Sequence, residues 1–504
     1  GRQALNKSTD TGSNVAVGYR ALYENINGSK SVAIGTEALR DQNPASDLDS
    51  LNTAIGHQAG LLVTTGTQNT IIGGLAGDAL TVGERNTAVG YSALSAEDTG
   101  GHNTGIGYRA LSQLNYDGNG YNTALGSDAG RKVSTGVQNT IIGALAGDAL
   151  TTGSDNVVIG YGAMTTDDAG GRNVAVGKGA LESQNGGDAN VFNIGIGYHA
   201  GNSMTSGTLN TIIGGNAGDA LTTGSSNIAI GYNALSTEDT GQANVAIGQG
   251  ALQNANYDGT AYNIAIGHNA GLGVSTGVNN TLIGALAGDA ITTGSDNVAI
   301  GRSALTANDT GSRATAVGSY SLYNQNPTGS DYFYNVALGY QTAYNITTGT
   351  PNVLIGAFAG HDITTGARNT VVGHDALSSE DTGSRNVAIG YEALQALNYD
   401  GDAYNVAVGY NAGHDITTGV QNTIVGGLAG DALTTGIGNV AVGYDALSTE
   451  DAHGLNVAVG ASALSSLNAG ANAYNVAVGY QAGLAMTTGI NNIIIGGLAG
   501  DALT

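Results

Sequence analysis

Short bursts of alternating side chains recur along the whole chain. Each reads Asn-h-Ala-h-Gly, where h is Val, Ile, Leu or Thr, beginning at Asn14, Ser31, Asn52, Asn69, Asn86 and Asn103 and continuing to Asn475 and Asn492. There are 28 such units, with Asn first in 26 and Gly fifth in all of them. β-Branched residues at positions two and four favour a strand, and no segment sustains the 3.6-residue apolar period of a helix. The glycine at position five predicts the end of the strand, where the chain turns with positive φ or passes close to a neighbour. A second short extended piece, Ala-Leu or Ala-Gly, follows, and Thr-Gly supplies a second turn. Each unit thus predicts one coil made of strand, turn, strand and turn.

The units lie mostly 17 residues apart, and every fourth step is longer, so that four coils make a superrepeat of 70 to 72 residues. Repetition of this kind predicts an all-β parallel β-solenoid, one continuous array over residues 1–504. Strands stacked in register at ~4.8 Å would give a rod of roughly 130 Å. Two ladders are expected, exemplified by Asn69, Asn86 and Asn103 and by Gly73, Gly90 and Gly107. In the first, side-chain amides pass hydrogen bonds from coil to coil. Positions two and four point to one face of the strand and position three to the other. Position three is mostly Ala but becomes Ile71, Ile141, Ile212, Leu282, Leu354, Ile424 and Ile494 once per superrepeat. With both faces apolar, a thin solenoid buries one and leaves a stripe that implies a partner. The bulky position-three residues are the candidate oligomer interface, and further copies of the same chain are the simplest partner. Both ends fall inside a coil without a polar cap, which predicts a window of a longer array.

Asn14-Val-Ala-Val-Gly and Ser31-Val-Ala-Ile-Gly resemble the head repeats of trimeric autotransporter adhesins, the YadA-like heads. Related Asn-Thr-Ala-Ile-Gly-Tyr runs occur in phage tail fibres. The resemblance covers essentially the whole chain. It implies a left-handed β-roll, a homotrimer, and a non-enzymatic structural and adhesive fibre of a bacterial cell surface, anchored in the outer membrane and mediating attachment. The alternative it leaves open is a virion tail fibre or another extracellular filament. The repeat is a fold signature and carries no ligand information.

Composition narrows the partners. Glycine numbers 84 and proline 3, which does not fit collagen. Fifteen basic residues stand against 39 acidic ones, a net charge of −24. With no Lys/Arg stripe, nucleic acid is disfavoured as a partner. No run reaches the ~18 apolar residues of a membrane span, so no membrane contact is expected within this segment. Cysteine is absent, which excludes disulfides and thiolate metal sites.

A repeat array offers no unique catalytic constellation, since serines lack a fixed His or Asp companion. No cofactor is expected; the alternative that the acidic residues raise is Ca²⁺ binding through oxygen ligands. Asp78, Asp148, Asp219, Asp289, Asp431 and Asp501 recur once per superrepeat, and pairs such as Glu97-Asp98, Glu238-Asp239 and Glu450-Asp451 could meet them from neighbouring coils. Solvated turns are the ordinary alternative. The long coils carry Asn-Tyr-Asp-Gly inserts, with Tyr116 and Asp117, Tyr257 and Asp258, and Tyr399 and Asp400; a second tyrosine follows at Tyr121, Tyr262 and Tyr404. A ring face with a polar tip beside Asp and Asn is a candidate glycan contact, so a host surface glycan or a matrix protein is a possible partner. The plainer alternative is that these rings cover the core where the coil widens. Threonine recurs in Thr-Thr-Gly turns, which raises an ice- or lattice-binding reading, but Glu-Asp-Thr-Gly coils interrupt that array.

Overall fold

The computed structural model describes residues 1–9, 12–46, 48–187, 190–326 and 332–504. The chain divides into two compact units, Gly1–Gln249 with Asn256–Thr260, and Gly250–Ala255 with Ala261–Thr504. Each unit is a parallel β-solenoid of 14 coils, and no helix is present among the described residues. The first unit runs from strand Val15–Val17 to strand Val245–Ile247, the second from Ile264–Ile266 to Ile493–Ile495. Within each unit the strand of one coil pairs in parallel with that of the next, and identical positions face each other. In the first, Thr70, Ile71 and Ile72 oppose Thr87, Ala88 and Val89; in the second, Thr423, Ile424 and Val425 oppose Val440, Ala441 and Val442.

The strand is shorter than the motif. It spans positions two to four only, because the glycine at position five has already left β space, at φ +135° for Gly73 and Gly90. The second extended piece is not a strand. Residue nine lies in the left-handed region, as at Leu94 (φ 50°) and Leu111 (φ 51°). It still stacks, since the Leu94 N–H donates to the Ala110 carbonyl at 3.0 Å. The residue before the ladder asparagine and residue seven are left-handed as well, as at Arg85 (φ 55°) and Ser92 (φ 53°). Left-handed φ costs a non-glycine residue ~1 kcal/mol or more. Coil-to-coil hydrogen bonds and burial offset that cost at every repeat.

Positions three, eight, nine and twelve fill the interior of each coil. Ala88, Ala93 and Leu94 are wholly buried in one coil, and Ile71, Ala76 and Leu80 in the preceding one. Bulk moves between positions while the filled volume is kept. Where position three is Ile71, position nine is Gly77, and a Cβ there would lie 2.8 Å from Leu80. Where position three is Ala88, position nine is Leu94. An interior packed near crystal density requires this exchange.

This interior overturns one expectation. Ile71, Ile141, Ile212, Leu282, Leu354 and Ile424 are wholly buried and Ile494 is 7 % exposed. They point into their own coil and form its core, so they are not an oligomer interface. A 17-residue coil closes around position three, which packs on residues eight, nine and twelve of the same chain.

Candidate functional site

The asparagine ladder holds the strand side of each coil, though its bonds differ from a simple amide-to-amide chain. Asn69 Oδ1 accepts the backbone N–H of Asn86 at 2.9 Å, and Asn86 Oδ1 accepts that of Asn103 at 3.0 Å. Asn69 Nδ2 donates to the Gly83 carbonyl at 2.9 Å and Asn86 Nδ2 to the Gly100 carbonyl at 2.8 Å. Both amides thus tie their coil to the next and also close its second turn, 14 residues on; before a long coil the second bond is lost, as at Asn103, whose Nδ2 donates to the Gly101 carbonyl instead. Amide-to-amide bonds occur as additions, such as Asn69 Nδ2 to Asn52 Oδ1 at 3.2 Å. The glycine ladder is required on two grounds. A Cβ on Gly90 would sit 2.3 Å from the Gly107 carbonyl oxygen, and φ there is +135°.

The outer face of the sheet is built from positions two and four. In the first unit Val15, Val17, Ile34, Ile55, Leu125 and Ile196 are 37–55 % exposed. In the second unit Val353, Ile355, Val425 and Val478 are 36–40 % exposed. Most of the remaining coils show the same half-exposed, buried, half-exposed sequence along the strand. Each unit thereby presents an aliphatic row at position four, flanked by Val, Ile or Thr at position two, repeated coil by coil, which is unusual for a free surface.

The inserts are built by hydrogen bonds back to the preceding coil. Asp117, Asp258 and Asp400 accept from the hydroxyls of Thr99, Thr240 and Thr382 at 2.7–2.8 Å. Tyr116, Tyr257 and Tyr399 are half-buried, and the Tyr116 ring lies over Gly118. Beside Tyr116 a shallow cleft of ≈ 550 Å³ is lined by Asp98, Asn115, Tyr116, Asp117 and Thr135. Tyr121, Tyr262 and Tyr404 are 48–61 % exposed. Tyr121 leans on His102 at 5.0 Å between ring centres, and Arg385 lies over the Tyr404 ring at 5.3 Å and bonds its hydroxyl.

Sequence reading missed a buried carboxylate at position twelve. Glu97, Asp167, Glu238, Glu380 and Glu450 are wholly buried, inside the hydrophobic stack. Glu97 Oε1 accepts the Gly100 N–H at 2.7 Å and Oε2 that of Tyr116 at 3.4 Å. Burial pushes Glu97 and Glu380 up to about 7 and Asp167 up to about 6, against the opposing effect of those N–H donors. Glu238 is raised for the same reason. The signal was present: an acid three residues before Gly, in register with Leu80 and Leu150 of neighbouring coils.

This geometry also limits cation binding by the acidic pairs. Glu97, Glu238, Glu380 and Glu450 spend both oxygens on backbone N–H groups, while Asp167 accepts the Gly170 N–H through Oδ1 and keeps a buried Oδ2 without a partner. Among the described residues one group, Glu450, Asp451 and His453, brings three donor atoms within 4.8 Å of one another. There too Glu450 is engaged, by the backbone N–H groups of His453 at 3.2 Å and Ala469 at 3.3 Å. Of the once-per-superrepeat aspartates Asp501 is exposed and the others are half-buried; Asp78, Asp219, Asp289 and Asp431 each keep one buried oxygen without a partner, and burial raises their pKa.

No helix among the described residues is long and apolar enough to cross a membrane. No protein-family model matches this chain, and no curated protein is significantly similar to it in sequence.

Proposed function

We propose that this chain is the shaft of a non-enzymatic extracellular fibre that self-associates and mediates attachment, on a bacterial surface or as a virion tail fibre. The observation that carries this reading is the outer aliphatic face at positions two and four, repeated through both units. A solvated face would carry mostly polar side chains; here position four is Val, Ile or Leu in every coil, and position two is Val, Ile or Thr. The fitting cover is the same face of another copy, because identical coils repeat at the same spacing and bring their rows into register. Three copies are the number implied by the resemblance to YadA-like heads. Attachment would fall to the exposed tyrosines of the inserts, Tyr121, Tyr262 and Tyr404, acting on surface glycans or matrix proteins.

Sedimentation equilibrium tests the assembly. The wild-type chain should sediment at about three times its 49.9 kDa, and Ile355→Asp with Val425→Asp should shift it to single chains that remain folded by circular dichroism. A wild-type chain that stays monomeric at tens of micromolar refutes the reading. The lattice-binding alternative is weakened by the first threonine of the turns, whose hydroxyl is engaged between coils. Thr64 Oγ1 donates to the Thr81 carbonyl at 3.2 Å and Thr81 Oγ1 to that of Asp98 at 3.0 Å.

A further inference from the structure

Position six, just past the strand, carries exposed rings distinct from those that precede the ladder asparagines. In most of the chain they are isolated or paired, as with Tyr91 and Tyr108. In the second unit five successive coils each carry a ring at this corner: Tyr340, Phe358, His374, Tyr391 and Tyr410, with Phe358 displaced by one residue to position seven. They touch in sequence. The centre-to-centre distances are 5.5 Å from Tyr340 to Phe358, 5.8 Å to His374, 5.6 Å to Tyr391 and 5.5 Å to Tyr410. The first two contacts are edge-to-face and the last two offset-parallel. The tyrosines remain 44–57 % exposed. Each ring therefore covers part of its neighbour, and the three tyrosines leave the rest of their ring faces to solvent.

We propose that this aromatic track is a binding site for a linear neutral polysaccharide, lying along successive coils. A sugar strand offers repeated apolar C–H faces and hydroxyls, and the track offers repeated ring faces with polar tips. Carboxylates flank the rings: Asp375 lies 2.9 Å from His374 Nδ1, and Glu392 accepts a hydrogen bond from the Tyr391 hydroxyl, so the edge of the track is polar, as a hydroxyl-rich sugar strand requires. Single-stranded nucleic acid also stacks on aromatic ladders, but it needs a basic groove, and this chain carries −24. The site stands apart from the inserts, and its binding does not depend on the self-association proposed above.

Affinity electrophoresis of the full chain, through gels containing soluble β-glucan, xylan or mannan, tests it. At least one polysaccharide should retard the wild-type chain, and the retardation should persist in 0.5 M salt. The triple variant His374→Ala, Tyr391→Ala, Tyr410→Ala should lose at least tenfold in affinity, while Tyr161→Ala with Tyr232→Ala should bind as wild type. A second readout uses no variant: bound polysaccharide should slow nitration of Tyr391 and Tyr410 relative to Tyr161 and Tyr232. Failure of all three polysaccharides to bind overturns the proposal. So does equal loss in both variants, unslowed nitration, or retardation abolished by salt.

Discussion

Glu380 turns the hydrophobic interior into a pH-dependent one. It lies at position twelve between Ile363 and Leu397, all three wholly buried. Its Oε1 accepts the Gly383 N–H at 2.6 Å and its Oε2 the Tyr399 N–H at 3.2 Å. Burial raises it from 4.5 to about 7, and nearby Asp381 adds to the rise. The folded coil therefore favours the protonated acid. Below pH 4.5 the acid is protonated in both folded and unfolded chain, and this stability is fully present. As pH rises, the unfolded chain releases its proton first, and the stability is lost until about pH 7, above which nothing further changes. At 1.36 kcal/mol per pH unit the whole span is worth about 3 kcal/mol. Between pH 5 and pH 8 this corresponds to a change on the order of fiftyfold in local opening. Hydrogen exchange followed by mass spectrometry over residues 380–399, corrected for the intrinsic rate, measures it. Protection should be higher at pH 5 than at pH 8 by about that factor. In Glu380→Gln this factor should vanish, leaving only the pH response common to both proteins, even if the variant is less stable throughout. Asn25 and Asn308 occupy the equivalent place in two other superrepeats, bonding Gly28 and Gly311, so an amide is compatible with the coil. The general loss of acidic repulsion on lowering pH acts on both proteins and cancels in the comparison. An equal pH response in wild type and variant would refute the reasoning.

Other substitutions separate the roles within a coil. Asn156→Ala removes the acceptor of the Asn173 N–H and the donor to the Gly170 carbonyl; thermal unfolding should show a loss of about 2–4 kcal/mol, from two orphaned buried groups. Ile424→Ala should cost about 2–4 kcal/mol by emptying the core, whereas Val425→Thr, one residue along on the outer face, should change the stability of the isolated chain by less than about 0.5 kcal/mol. Equal costs in denaturant melts would mean that the assignment of faces is wrong. Gly90→Ala drives a methyl onto the Gly107 carbonyl and should break coil stacking locally, read as raised proteolysis and exchange over residues 73–107 with protection kept in distant coils.

The sequence by itself determined the repeat, its 17-residue step, and the strand that each step carries, because β-branched alternation ending in glycine has few other solutions. The need for glycine at position five was legible for the same reason. The inserts were legible as bulges, and their tyrosines divide into a half-buried and an exposed set that spacing alone did not distinguish. Which face is inside was not legible. Positions two, three and four are all apolar, so alternation gives two equivalent faces, and only closure of the coil decides that Ile71 and Ile424 are core while Ile72 and Val425 face outward. The second side of the coil also escaped. Ala-Leu reads as extended, yet Leu94 takes a left-handed φ that local propensity disfavours, held there by the bond to Ala110 and by burial. The acid at Glu380 read as a solvated turn until stacking set Ile363 and Leu397 above and below it. The tertiary structure decided these points because each depends on what lies one coil away: close in space, but 17 residues distant in the chain.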